Sequence, residues 1–121
     1  MKKKVLVIGA SENPARYSNM AIKMLNEYEH DVLAFGLRQG KVDDTRIMQE
    51  WSYVQNNIDT VTLYVGPQHQ EEYYKKLVAL NPKRVIFNPG TENAEFQELL
   101  ETAGIETLEA CTLVMLRTGQ F

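Results

Sequence analysis

The residues best suited to chemistry in this sequence gather in four short stretches, each ending an apolar run. The first is Gly9-Ala10-Ser11-Glu12-Asn13-Pro14-Ala15-Arg16-Tyr17-Ser18, ten residues between an apolar run and an amphipathic one. The others are Gly36-Leu37-Arg38, Val65-Gly66-Pro67 and Asn88-Pro89-Gly90. Glycine lets a backbone approach a ligand closely, and free amides ahead of a helix favour an anion. Any one glycine or proline there is more often plain turn chemistry, because every strand-to-helix turn needs a breaker. The first loop says more, since such connections usually run about 2–6 residues. It lacks the second and third glycines of the dinucleotide fingerprint G-x-G-x-x-G, and no Gly-Lys-Ser/Thr follows it as in a phosphate-binding P-loop. The motifs alone imply a nucleotide-like anionic ligand.

The remaining reactive side chains carry less. His30 precedes an apolar run, at the end away from these stretches. His69 falls in the first turn after Pro67, where a lone histidine reads as a solvated residue rather than a general base. Cys111, the only cysteine, lies ahead of the apolar run Leu113 to Leu116 and reads as a small packed residue. It excludes an internal disulfide and a cysteine-based metal cluster, and no metal-ligand spacing appears. Tyr73 and Tyr74 divide between core and surface, and Trp51 reads as an anchor for the connection around it. No catalytic residue is assigned.

The elements that position these stretches follow from hydropathy. Val5 to Ile8 does not alternate with polar residues and reads as a strand buried on both faces. Ala21, Met24, Leu25 and Tyr28 make a helical stripe. Strands are expected at Asp31 to Gly36, Val61 to Val65, Arg84 to Phe87 and Ile105 to Leu108. Helices are expected with Tyr74, Leu77 and Val78 on one side, and with Phe96, Leu99, Leu100 and Ala103 on one side, the latter stopped by Gly104. Arg38 to Thr60 has no clean stripe and is expected to be a long connection holding a short strand or one helical turn. The alternation implies an α/β fold: a single doubly wound, Rossmann-like domain over residues 1–121, with a mainly parallel five-stranded sheet in the order 3-2-1-4-5. Ligands bind such sheets outside the carboxyl ends of the strands, where the order reverses, and all four stretches stand at that end.

With 121 residues and a formal net charge of −3, the chain fits one domain and lacks the clustered basic face of a nucleic-acid module. Lys2 to Lys4 precede an apolar run too short for a signal peptide or a membrane span, so neither nucleic acid nor membrane is expected as a partner, and a cytoplasmic location is. The apolar tail after Cys111 could cover a sheet edge or form part of a contact in a homodimer or with a partner protein.

Val7-Ile8-Gly9-Ala10-Ser11-Glu12-Asn13-Pro14, followed by Arg16 and Ser18, resembles the opening of the stand-alone CoA-binding domain family. That family is similar to the N-terminal domain of the succinyl-CoA synthetase α subunit. The resemblance implies coenzyme A or an acyl-CoA as the ligand. Gly9, Ala10 and Ser11 would face its phosphates, Asn13, Arg16 and Ser18 would supply the polar and basic groups of the same loop, and Arg16 would pair with a phosphate. Leu37-Arg38 stands where relatives have a proline-lysine pair, which makes Arg38 the candidate for the adenosine 3′-phosphate. Val65, Gly66 and Pro67 would wall the adenine or pantetheine slot. Asn88, Pro89 and Gly90 stand where relatives often carry a different loop. The phosphorylated histidine of the synthetase belongs to a later domain with no counterpart here, so the resemblance implies binding without catalysis. The alternatives are an NAD(P)-binding oxidoreductase-like protein and an interaction protein with a vestigial site.

Overall fold

Apolar runs too long to stay in water set the architecture, which a computed structural model describes for residues 2–121. Seven strands, β1 (Lys4–Ile8), β2 (Asp31–Phe35), β3 (Gly40–Val42), β4 (Thr45–Met48), β5 (Thr60–Leu63), β6 (Arg84–Phe87) and β7 (Glu106–Glu109), form one sheet in the order β3-β4-β2-β1-β5-β6-β7. All neighbours are parallel except β3 and β4, an antiparallel hairpin. Four helices cover it: α1 (Tyr17–Glu27), α2 (Tyr74–Leu80), α3 (Ala94–Thr102) and α4 (Thr112–Arg117).

The doubly wound α/β class is as the sequence implies, but the five-strand count and its order are corrected. The place outside β2 belongs to the short β4, whereas the run at Thr60–Leu63 pairs with the opposite side of β1, Leu6 facing Val61 in register. The irregular stretch between Arg38 and Thr60 thus holds a hairpin, followed by a 3-10 turn at Trp51–Tyr53.

Alternation along β1 sorts the core into two layers. Leu6 and Ile8 pack with Val61, Leu63, Leu77, Phe96 and Leu100 on the α2–α3 face. Val5 and Val7 pack with Ile22, Leu25, Ala34 and Leu116 on the α1–α4 face. The stripe of α1 centres on Ala21, Ile22 and Leu25, while Tyr28 is exposed. On α3, Phe96 and Leu100 are buried and Leu99 is not. The apolar tail is neither an edge cover nor free: it is α4, whose Leu116 lies under the same face as α1. Among the described residues no helix is long and apolar enough to cross a membrane.

Candidate functional site

At the carboxyl end of the sheet the tips of β1, β2 and β5 are drawn tightly together. The N–H groups of Gly9 and Ala10 both donate to the Phe35 carbonyl, at 2.9 and 3.0 Å, and Tyr64 N–H donates to Ile8 O at 2.9 Å. Gly9 has φ +94°, and a Cβ there would stand 2.7 Å from Tyr64 O. A Cβ on Gly36 would stand 2.5 Å from Ala10 O. Both positions need glycine because another backbone passes where a side chain would be. The expectation that the Gly9 and Ala10 amides face a phosphate is therefore corrected: those donors already serve β2.

The rest of the loop shapes itself. Ser11 Oγ accepts from Asn13 N–H at 3.1 Å, Asn13 Oδ1 accepts from Ala15 N–H at 3.0 Å, and Asn19 Nδ2 donates to Ser11 O at 2.9 Å. Glu12 Oε2 accepts from Lys41 N–H at 2.9 Å, strapping the loop to β3. Ser18 is 4% exposed and turns into the protein. Arg16 occupies the N-cap of α1 in extended conformation, with no side chain capping the helix. The first-turn amides of α1 therefore end in a partial positive charge beside an exposed guanidinium. Neither Arg16 nor Arg38 forms an ion pair among the described residues.

Beyond β2, Leu37 is 88% exposed, Arg38 is exposed, and Gln49 Nε2 donates to Leu37 O at 2.7 Å. A cavity of about 540 Å³ opens there, bounded by Phe35 to Leu37, Gln49 to Ser52, Glu72, Tyr73 and Lys76. Trp51 meets Phe35 edge-on at 5.2 Å between ring centroids and Tyr73 at 6.1 Å. Burial, with Glu72 beside it, pushes the Tyr73 hydroxyl up to about 12, so it stays protonated. The sequence reads Trp51 as an anchor and divides Tyr73 and Tyr74 between core and surface. That Trp51 and Tyr73 share a cavity with Leu37 is not legible there, because the 3-10 turns carrying them are too short to show a period.

The ends of β5 and β6 are closed by polar side chains, of which Asn88 alone was singled out in the sequence. Gln70, 0% exposed, donates from Nε2 to Val65 O and to Thr91 O, both at 2.8 Å. Asn93 Nδ2 donates to Gln70 Oε1 at 3.0 Å, and its Oδ1 caps α3 by accepting from Phe96 N–H at 3.1 Å. Asn88, 1% exposed, donates to Thr62 Oγ1 at 2.7 Å and Leu63 O at 2.9 Å. Its Oδ1 accepts from Thr112 N–H at 2.9 Å. As a ligand contact Asn88 is corrected: its side chain is a staple joining β6, β5 and α4. Gly66 is half-exposed, and Pro67, Pro89 and Gly90 are exposed at the same end of the sheet.

His30 lies at the far end of the sheet, where its Nδ1 accepts from Lys3 N–H at 3.1 Å. Burial first, then the Lys3 charge, lowers its pKa. His69 is exposed in the 3-10 turn Pro67–His69. Cys111 is half-buried ahead of α4. Burial pushes the Tyr64 hydroxyl up to about 12, partly offset by the Thr62 and Thr112 hydroxyls. Among the described residues no three His, Cys, Asp or Glu side chains gather as a metal site would need.

A mostly parallel sheet wound on both faces, whose strand order turns at β1, defines a Rossmann-like domain. More particularly, the chain belongs to the CoA-binding domain family, whose model matches residues 3–117. No curated protein matches it. Among solved structures, an uncharacterized protein superposes with a TM-score of 0.96 at 44% identity, covering 100% of this chain and 99% of that one. A Thermus thermophilus protein superposes at 0.87 with 21% identity, covering 99% and 91%. A dinucleotide-forming acetyl-coenzyme A synthetase from Ca. Korarchaeum cryptofilum superposes at 0.73 with 16% identity, covering 89% of this chain but 25% of that one.

Proposed function

We propose that this protein binds coenzyme A or an acyl-CoA across the carboxyl ends of β1, β2 and β5, and holds it without catalysing its turnover. The observation that carries this reading is the family match over residues 3–117, joined to a loop whose helix end is uncapped and flanked by Arg16. In this reading the pyrophosphate lies against the first turn of α1 and the Arg16 guanidinium, a charge-assisted pairing. The Gly9 and Ala10 backbone holds that loop against β2 rather than donating to the ligand. Arg38, on the exposed turn after β2, takes the 3′-phosphate. The absence of catalysis draws support from the polar groups at the strand ends. Asn88 and Gln70 are committed to internal hydrogen bonds. A protein of this kind would sense CoA or present it to a partner.

Calorimetric titration with CoA, acetyl-CoA and NADH tests the reading. Saturable heat with the two CoA forms and none with NADH is expected. Heat with NADH alone would replace it with the oxidoreductase-like reading, and no heat with any would leave an interaction protein with a vestigial site.

A further inference from the structure

The loop that follows β1 is fastened twice to the connection between β2 and β3, each time at a glycine. At Gly36 the Ala10 carbonyl oxygen would stand 2.5 Å from an added Cβ. At Gly40 it is the Glu12 side chain that fills the space, its Cγ 2.5 Å and its Oε1 2.7 Å from an added Cβ. This second fastening reaches far. β3 borders the sheet, with β4 and β2 between it and β1, yet Glu12 Oε2 accepts the Lys41 N–H at 2.9 Å. A carboxylate bonded to a backbone amide makes a charge-assisted contact. Between the two fastenings runs Gly36-Leu37-Arg38-Gln39-Gly40, the turn that carries Arg38. The fastened loop carries Arg16 into the start of α1. Glu12 itself is exposed, and a carboxylate in a loop that meets phosphates opposes them by its charge. Any gain it brings to binding must therefore come from geometry.

We infer that Glu12 is a positioning residue, which clasps the β1 loop to the start of β3 and so fixes Arg16 relative to Arg38. Loops held in this way do not have to be ordered when a ligand spanning both guanidinium groups arrives. The inference rests on the CoA reading above, and it gives Glu12 no contact with the ligand. Gly40 belongs to the same device, because only a residue without a side chain leaves the carboxylate room to reach Lys41.

Clasp and charge predict opposite signs, so three variants followed by calorimetry with CoA separate them. Glu12→Ala removes bond and charge together and is expected to raise the dissociation constant about fivefold, the loss of one modest contact. Glu12→Gln keeps an acceptor for the Lys41 N–H and removes only the charge, so CoA is expected to bind as tightly as before or more tightly. Gly40→Ala keeps the charge but pushes the Glu12 side chain away, at a position outside the left-handed region. It is expected to match Glu12→Ala, and the double variant to be no worse than either. With dephospho-CoA, which leaves Arg38 no 3′-phosphate to meet, both losses are expected to shrink. Hydrogen exchange at the Lys41 amide reads the clasp without any ligand: slow in the parent and in Glu12→Gln, faster in the other two. Glu12→Ala binding CoA as tightly as the parent, or Lys41 exchanging equally fast in both, would overturn the clasp and leave the CoA reading standing. No heat from the parent chain with CoA would overturn both.

Discussion

The turns that leave β1 and β6 begin alike in sequence, with glycine or proline among small polar residues, and diverge in the folded chain. After β6, Asn88 reaches inward to Thr62, Leu63 and Thr112, and Thr91 N–H returns to Asn88 O at 2.9 Å. Nothing polar on the Asn88 side chain is left to greet a ligand except the second lone pair of its oxygen. After β1, the side chains of Ser11 and Asn13 fold the loop onto itself, but the helix that follows starts without a side-chain cap and with Arg16 in solvent. The difference teaches that breaker residues at a strand end do not mark a binding loop. Under the proposed function, unclaimed donors do.

The comparison breaks most visibly at Asn88. Asn88→Ala would leave Thr112 N–H and Leu63 O without their partner in a dry interior, a loss of about 3 kcal/mol of unfolding free energy. Urea unfolding checks this, and CoA affinity of the folded fraction is expected to stay unchanged. Gly9→Ala comes next: a methyl group 2.7 Å from Tyr64 O, at φ +94°, is expected to cost about 2 kcal/mol, read from the same curves. At Arg16 the pattern inverts. Arg16→Ala is expected to change stability by less than about 0.5 kcal/mol while raising the CoA dissociation constant about tenfold, the loss of one charge-assisted contact of about 1.4 kcal/mol. Equal effects on stability and binding at Asn88 and Arg16 would erase the contrast between the two turns.

The smallest effect belongs to the far end of the sheet. The folded-state pKa of His30 lies below its ordinary 6.5 because burial and the Lys3 and Arg84 charges disfavour the imidazolium, with Asp59 opposing them. The unfolded chain therefore takes up the proton first, and stability declines as pH falls below about 6.5. Unfolding curves at pH 8 and pH 5.5 should show that decline, and His30→Gln should flatten it.

Much of the frame is written in local patterns. Arg84 to Phe87 matches β6 residue for residue, because an unalternated apolar run has no place but a doubly covered strand. Phe96 and Leu100 face the core as their spacing demands, and Gly104 follows α3 at φ +86°. The hairpin of β3 and β4 is hidden because strands of three and four residues are too short to show alternation. Helix α4, six residues long, is shorter than two turns and reads only as apolar tail. At the site, Arg16 stands exposed. The close approach that Gly9 and Gly36 permit is not legible, because what they approach, Tyr64 and Ala10, is distant in sequence. Trp51 and Tyr73 meet only through folding, so no spacing announces them.

The outermost strands have a consequence for how copies of this chain can meet. At one border β3 offers three residues, and at the other β7 begins and ends in glutamate, Glu106 and Glu109, both facing solvent. Two molecules attempting to continue the sheet through β7 would crowd four carboxylates along the seam, while β3 gives too little backbone to zip. Growth by strand addition is thereby discouraged at both borders of the sheet.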